Sequence, residues 1–410
     1  MQTRKDVIGC REDFPALTKT YQGIPLAYLD GPAGTQVPQM VIDAVSNYYK
    51  FNNANTHGAF VTSRESDKIL EDCRENMAVF LGADSPREIS FGANMTSLTF
   101  SLSKAIARKL HPGDEILITQ LDHEANRGPW LSLRDHGIIV KEIAVNPPGI
   151  LDQEDFKSKI SGRTRLVAMG YASNALGTVN DIRFARQLTY QFGAWLFVDA
   201  VHFAPHFPVD AKSTGVDFLV CSAYKFYGPH VGILYTRGDL LDRLDTDRLR
   251  TQDQFSPYRI ETGTLNHAAI AGVSAAVNYI AEFGSGEHLR AKIASAMNTI
   301  SQHEHRLAKY LFENLTGMKE ITVRGPSFDN DMRAPTISFT RDGYTAPEVC
   351  MHLAKAGICA WDGHFYAIRP IEVLGLLERG GVTRIGISMY STQEEIDRLL
   401  NRLDLLIPKD

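Results

Sequence analysis

The stretch DFLVCSAYKFYGPHVGILY, residues 217–235, sets two unbroken apolar runs on either side of a single lysine. The first run, Phe218 to Cys221, does not alternate with polar residues, the pattern of a strand buried on both faces. Gly228-Pro229 then turns the chain into the second run. Lys225 stands at the mouth of the first strand, hemmed in by Ser222, Tyr224 and Tyr227. A surface lysine paired with a carboxylate is the plain reading, since charged residues are mostly exposed. An amine near a buried strand end, however, is expected to lose charge to desolvation, and a neutral amine attacks carbonyls.

Outward from this stretch the same pattern repeats. ILIT (116–119), IIVKEIAV (138–145), RLVAMGYA (165–172) and AWLFVDA (194–200) read as further strands. Helix-length stretches such as 152–160 and 182–192 lie between them. Apolar strands alternating with helices predict an α/β unit with a mostly parallel sheet covered on both faces. Ligands of such sheets bind at the carboxyl ends of strands, which is where Asp199 and Lys225 fall. A large α/β domain is expected over residues 22–283. From about His288 the pattern changes. Ile293, Met297, Ile300, Leu307, Leu311 and Leu315 form a helical stripe. APTISFT (334–340), GICAW (357–361) and TRIGISMY (383–390) read as strands, and a capping box S-T-Q-E starting at Ser391 opens a last helix. A smaller α+β domain over 284–410, joined by residues 1–21, is the expectation, with a boundary near GSG at 284–286.

Composition narrows the function classes. A chain of 410 residues is long for one core. Its 43 basic and 48 acidic residues give a net charge of −5, with no basic footprint for nucleic acid or anionic lipid. No apolar run is long enough to span a bilayer, and MQTRKDVIGCREDFPAL lacks the apolar core of a signal peptide. The five cysteines (10, 73, 221, 350, 359) are odd in number and contain no CxxC pair, which favours a reducing cytoplasm over a disulfide framework.

Asp199 ends LFVDA, where a carboxylate is costly to bury without a cationic partner. It caps a turn, or it holds the ring nitrogen of pyridoxal phosphate protonated so that the ring draws electrons from a substrate's alpha carbon. The phosphate of such a cofactor needs oriented donors, which a helix N-terminus supplies. FGANMTSLTFSLSKAIA offers one near Asn94, Met95 and Thr96, of which Asn94 or Thr96 is alternatively a simple cap. Ser222 and His202 are further donors. His123 in TQLDHEANRGPW, just after a strand, is placed to stack on a flat ring or simply to accept a hydrogen bond.

Taken together, these residues resemble the class V aminotransferase family of pyridoxal-phosphate enzymes, in its cysteine desulfurase and selenocysteine lyase branch. The resemblance runs from FPALTKTYQGIPLAYLDGPAGTQVP to SMYSTQEEIDRLL and is most specific in LFVDAVHFAPHFPVD and DFLVCSAYKFYGPHVGILY. It implies the fold type I architecture of these enzymes, with a mostly parallel seven-stranded sheet and a smaller C-terminal α+β domain. It also implies that Lys225 holds the cofactor as a Schiff base and shuttles the alpha proton, that Asp199 pairs with the ring nitrogen, and that His123 stacks on the ring. Asn174 in YASNALGT would lie beside the ring hydroxyl, Ser222 would bind phosphate, and His202 stands where many relatives carry glutamine. Tyr224 replaces the usual histidine before the lysine, keeping a hydroxyl for the phosphate but no positive charge. Thr264 in ETGTLN would reach the phosphate of a neighbouring subunit, implying a homodimer with shared sites. Arg384 in TRIGISMY would grip a substrate carboxylate, its alternative being a surface arginine on a half-buried strand.

One departure bears on the reaction. The loop AWDGHFYAIRPIEVLGL aligns with the loop on which desulfurases carry a nucleophilic cysteine, and that position falls on Tyr366. Cys359 lies in an apolar run where burial raises a thiol's pKa. Desulfuration is therefore in doubt, while alpha-carbon chemistry on a small amino acid is expected: C–S lysis, transamination or epimerisation. His57, Trp361, His364 and Tyr366 are the expected pocket residues that choose among them. Metal-dependent hydrolysis by Asp199, His202 and His206 is disfavoured by spacing and by Pro205, and a dinucleotide-dependent dehydrogenase by the lack of GxGxxG after the early strands. The non-enzyme alternative is a pyridoxal-phosphate-binding protein without turnover, against which Arg384 speaks.

Overall fold

The computed structural model describes residues 5–329 and 332–407. Seven strands make the main sheet: β1 Ile89–Gly92, β2 Glu115–Thr119, β3 Ile139–Ile143, β4 Thr164–Gly170, β5 Trp195–Asp199, β6 Phe218–Ser222 and β7 Gly232–Thr236. Their spatial order is β1-β7-β6-β5-β4-β2-β3. Pairing is parallel from β6 across to β3 and antiparallel on both sides of β7. Every residue of β2, β6 and β7 is buried, which explains their unbroken apolar sequences.

Successive residues of β6 feed opposite cores, as a pleated strand requires. Leu219 and Cys221 pack with Met77, Phe80 and Leu81 of α1 (Val61–Leu81). Phe218 and Val220 pack with Leu98, Leu102 and Ile106 of α2 (Met95–Ala107). Helix α3 (Ile182–Phe192) has the expected bounds, and α4 (His267–Ala281) adds Ile270, Val273 and Val277 to the first of these cores.

Helix α5 (Leu289–Gly317) carries the predicted stripe, and its two halves do different work. Ile293, Met297 and Ile300 belong to the core of the main sheet. Leu307, Leu311 and Leu315 cover a second, antiparallel sheet made of β8 Ile321–Arg324, β9 Thr336–Arg341, β10 Trp361–Gly363 and β11 Val382–Gly386, in the order β8-β9-β11-β10. Two expectations need correction here. GICAW is not one strand: Ile358–Cys359 pairs in parallel with Ala27–Tyr28, and Trp361 begins β10. The final helix, α6 (Gln393–Asp404), is capped by Thr392 rather than Ser391, with Glu395 completing the reciprocal box. Ser391 turns inward instead, its Oγ accepting the Ser388 N–H at 3.0 Å. Among the described residues no helix is long and apolar enough to cross a membrane.

Candidate active site

The carboxyl ends of β2, β4, β5 and β6 open into one cleft. Lys225, Asp199, His123, Asn174, His202 and Tyr224 all line it, with Met95 and Thr96 at one end. Eight residues singled out in the sequence thus converge on one site.

Lys225 follows β6 directly. Its Nζ donates to the carbonyl oxygens of Pro32 and, at 3.0 Å, of Ala33. Burial, then the positive charge of Arg384, pull its pKa down to about 7, with Asp199 and Asp30 opposing the shift. The amine therefore sheds its proton far below the ordinary lysine range. The backbone beside it is strained, since Tyr227 sits at φ +68°, a conformation unusual for a bulky residue, held by its N–H to Thr35 Oγ1 at 2.8 Å.

Asp199 is buried at the end of β5, and Oδ1 accepts the Val201 N–H at 2.9 Å. The capping reading holds, and the carboxylate also lines the cleft, where a ring nitrogen could meet it. Burial raises its pKa to about 6, against the pull of the Val201 N–H and of Lys225. His123 accepts the Ala125 N–H on Nδ1 at 3.0 Å, which leaves its proton on Nε2. Burial, then Lys225 and Arg384, lower its pKa to about 4, so the ring is neutral. Asn174 Nδ2 donates to the Phe365 carbonyl at 3.0 Å. His202 Nε2 lies 2.9 Å from Thr336 Oγ1. His206, once weighed as a metal ligand, is 2.8 Å from Glu304 on α5 instead.

The far end of the cleft is the N-terminus of α2. Asn94 is its cap, taking the Ser97 N–H at 2.9 Å, and Ser222 Oγ takes the Met95 N–H at 3.1 Å. The loop is pressed against β7: a Cβ on Gly232 would collide with the Asn94 backbone. Tyr224 lies flat on His230, ring centres 4.6 Å apart and planes 7° apart, and burial keeps its phenol protonated.

Arg384 on β11 is 3 % exposed, which rules out the surface-arginine reading. Nη1 donates to the Asn174 carbonyl at 3.0 Å, and the guanidinium carbon stands 3.9 Å from the Phe365 ring centre. Phe365 and Tyr366 both adopt positive φ, +54° and +58°. This pair is held by Asn174 on one carbonyl and by the Glu124 N–H, at 2.7 Å, on the next. The Tyr366 side chain is 72 % exposed, with its ring centre 5.8 Å from that of His123. His364 takes the Tyr366 N–H on Nδ1 at 3.1 Å.

None of the four expected pocket residues, His57, Trp361, His364 and Tyr366, belongs to the cleft lining itself. His57 is exposed and bound to Asp67, and it shares a separate cavity with Thr264. Trp361 is exposed on β10, opposite Arg384 in the strand register. Sequence reasoning passed over Asp30, the turn carbonyls of Pro32 and Ala33, and Asp122. Asp122 lines the cleft, bracing Gly170 and Thr119 through their N–H groups. Burial raises its pKa to about 7. Its position beside His123, and the Asp-Gly-Pro turn at 30–32, were the available signals.

These residues fit pyridoxal phosphate: helix N-terminal donors for a phosphate, a buried carboxylate for a ring nitrogen and a partly neutral amine for an aldehyde, all lining or bordering one cleft. The comparisons agree. A family model described as aminotransferase class V matches residues 27–399. A cysteine desulfurase of Enterobacter sp. (strain 638) is 31% identical over 414 aligned residues, covering 96% of each chain. A probable cysteine desulfurase of Synechocystis sp. is also 31% identical, covering 97% of this chain and 94% of its own. Among solved structures, the apo cysteine desulfurase of Thermococcus onnurineus NA1 superposes with a TM-score of 0.88 at 26% identity, over 98% of both chains. The cysteine desulfurase CsdA of Escherichia coli gives 0.85 at 25% identity, again over 98% of both. The chain belongs to the class V aminotransferases, a family of pyridoxal-phosphate-dependent enzymes, and within it is cysteine desulfurase-like.

Proposed function

We propose that the protein acts at the alpha carbon of a small amino acid, with pyridoxal phosphate joined to Lys225. The observation that carries this reading is the Lys225 amine, drawn down to about pH 7 in a cleft it shares with Asp199 and His123. When bound, the cofactor supplies an electron sink for the bonds at that carbon. Asp199 would keep the ring nitrogen protonated, His123 would cover the ring face, and Asn174 would meet the ring oxygen. Met95, Thr96 and Ser222 would hold the phosphate, with Tyr224 adding a hydroxyl. Arg384 would take the substrate carboxylate, and Lys225 would carry the alpha proton.

Sulfur transfer through a thiol on the 360–376 loop is not part of this reading. Tyr366 occupies the loop at the cleft mouth, and burial holds the Cys359 thiol up at about 11, leaving little thiolate. C–S lysis without a protein-bound persulfide, transamination and epimerisation remain within the same chemistry. We assign the amino-acid site to a cytoplasmic homodimer in which Thr264 serves the neighbouring subunit, with residues 22–283 as the cofactor-binding unit. Individual amino acids mixed with the loaded protein test the proposal, read by visible absorption and released sulfide. A spectral response to at least one amino acid is expected, with little sulfide from cysteine. No response to any amino acid would favour a cofactor carrier without turnover; rapid release of sulfide together with alanine would restore desulfuration, whereas sulfide with pyruvate and ammonia would mark C–S lysis.

A further inference from the structure

The turn Asp30–Ala33 is wedged between the two basic groups of the site, Lys225 and Arg384. On one side, its Pro32 and Ala33 carbonyls receive the Lys225 amine. On the other, Asp30 bridges in parallel to Gly386, two residues beyond Arg384, and the Leu29 carbonyl accepts the Gly386 N–H at 2.9 Å. The fit is tight: a Cβ on Gly386 would strike Pro32, and one on Gly31 would strike Ser388. The turn is therefore packed directly against the end of β11 and the residues that follow it. Asp30 Oδ1 is buried there without a hydrogen-bond partner, and a buried carboxylate oxygen left so is expensive unless charge nearby compensates.

That charge comes from two sides. Asp30 favours the charged forms of both Arg384 and Lys225. No ion pair closer than 4.0 Å joins Asp30 to either among the described residues, so it acts across a gap. Tyr28, Cys359, Tyr390 and Trp361 are its other neighbours, none of them a cation. Burial raises its own pKa, with Trp361, Arg384 and Lys225 pulling it back.

We propose that Asp30 is a positioning residue, a fixed anion shared by Lys225 and Arg384 that restrains the guanidinium's grip on a substrate carboxylate and supports the proton on the Lys225 nitrogen. An anion facing the carboxylate site weakens binding there, which favours release of products that keep their carboxylate. This rests on the reading of Arg384 as the carboxylate clamp.

The test uses the pyridoxal-phosphate-loaded protein and propionate, a carboxylate without an amine, titrated by calorimetry. The pH midpoint of the visible absorption is recorded alongside. Asp30→Asn should bind propionate about threefold tighter or more, the order expected for removing one partly screened charge. Its absorption midpoint should fall, because the anion that supports the proton is gone. Asp30→Glu, which keeps the charge, should stay near wild type in both. Weaker propionate binding, or an unmoved midpoint, overturns the assignment and leaves Asp30 a structural residue. If Asp30→Asn does not fold, Asp30→Ser removes the same charge and carries the same outcomes. Arg384→Gln separates the two readings. Binding as tight as wild type refutes the clamp itself, whereas weak binding by both Arg384→Gln and Asp30→Asn refutes only the role of Asp30.

Discussion

At the scale of single residues, the site is a problem in charge. Four ionisable groups, Lys225, Arg384, Asp199 and His123, sit where burial penalises charge, and the pKa of each moves in the direction that burial dictates. For Lys225 the consequence is measurable. The neutral amine grows as pH rises through about 7, well below the ordinary lysine value. In cofactor-free protein, uptake of pyridoxal phosphate should therefore accelerate between about pH 6 and 8 and then level off. A rate still climbing towards pH 10 would mean an ordinary exposed lysine. Tyr366 invites the opposite kind of test, a gain. Tyr366→Cys puts a thiol at the cleft mouth, and sulfide or persulfide release from cysteine should rise above wild type, by about tenfold or more if positioning is the main obstacle. No rise would place the obstacle elsewhere in the pocket.

At the scale of elements, the sequence was most legible where one physical demand acted alone. The strands of the main sheet are buried on both faces, so apolar runs marked β2, β4, β5 and β6 to within a residue or two. The stripe on α5 was equally plain, although nothing in it told that one half serves the main core and the other the second sheet. Legibility failed where two demands competed. GICAW is uniformly apolar, but β10 needs its register with β11 and Ile358–Cys359 needs Ala27–Tyr28, so the run divides. Both Ser391 and Thr392 can cap a helix; the local bond that Ser391 Oγ accepts from the Ser388 N–H occupies its hydroxyl and leaves the cap to Thr392. Thr392→Ala should cost about 1 kcal/mol in chemical denaturation, the usual loss for a helix cap. A loss indistinguishable from zero would contradict the capping geometry.

For the whole molecule, the arrangement of sheets determines the chemistry more than any single loop. The cleft residues near 95, 123, 174, 199 and 225 follow strands that the main sheet gathers at one end, while the turn near 30 and Arg384 arrive with the second sheet. The residues closest to strand ends were therefore readable from sequence, because strand ends are where such folds bind ligands. Asp30 and Phe365 were not, since their proximity to Arg384 depends on how the second sheet meets the turn at 30–33. Thr264 and His57 share a cavity apart from the Lys225 cleft, so the proposed phosphate role of Thr264 requires a second copy of the chain. Sedimentation should show a particle of two chains, and Thr264→Ala should retain the cofactor less well than wild type. A monomer with full cofactor retention would remove the shared site.

The proposed attachment of the cofactor to one lysine underlies all of this. Borohydride reduction of the loaded protein, digestion and mass spectrometry of the peptides test it directly. The account predicts the reduced pyridoxyl phosphate on the peptide containing Lys225, and its loss in Lys225→Ala. A label found on another lysine, or undiminished labelling after that substitution, would contradict it.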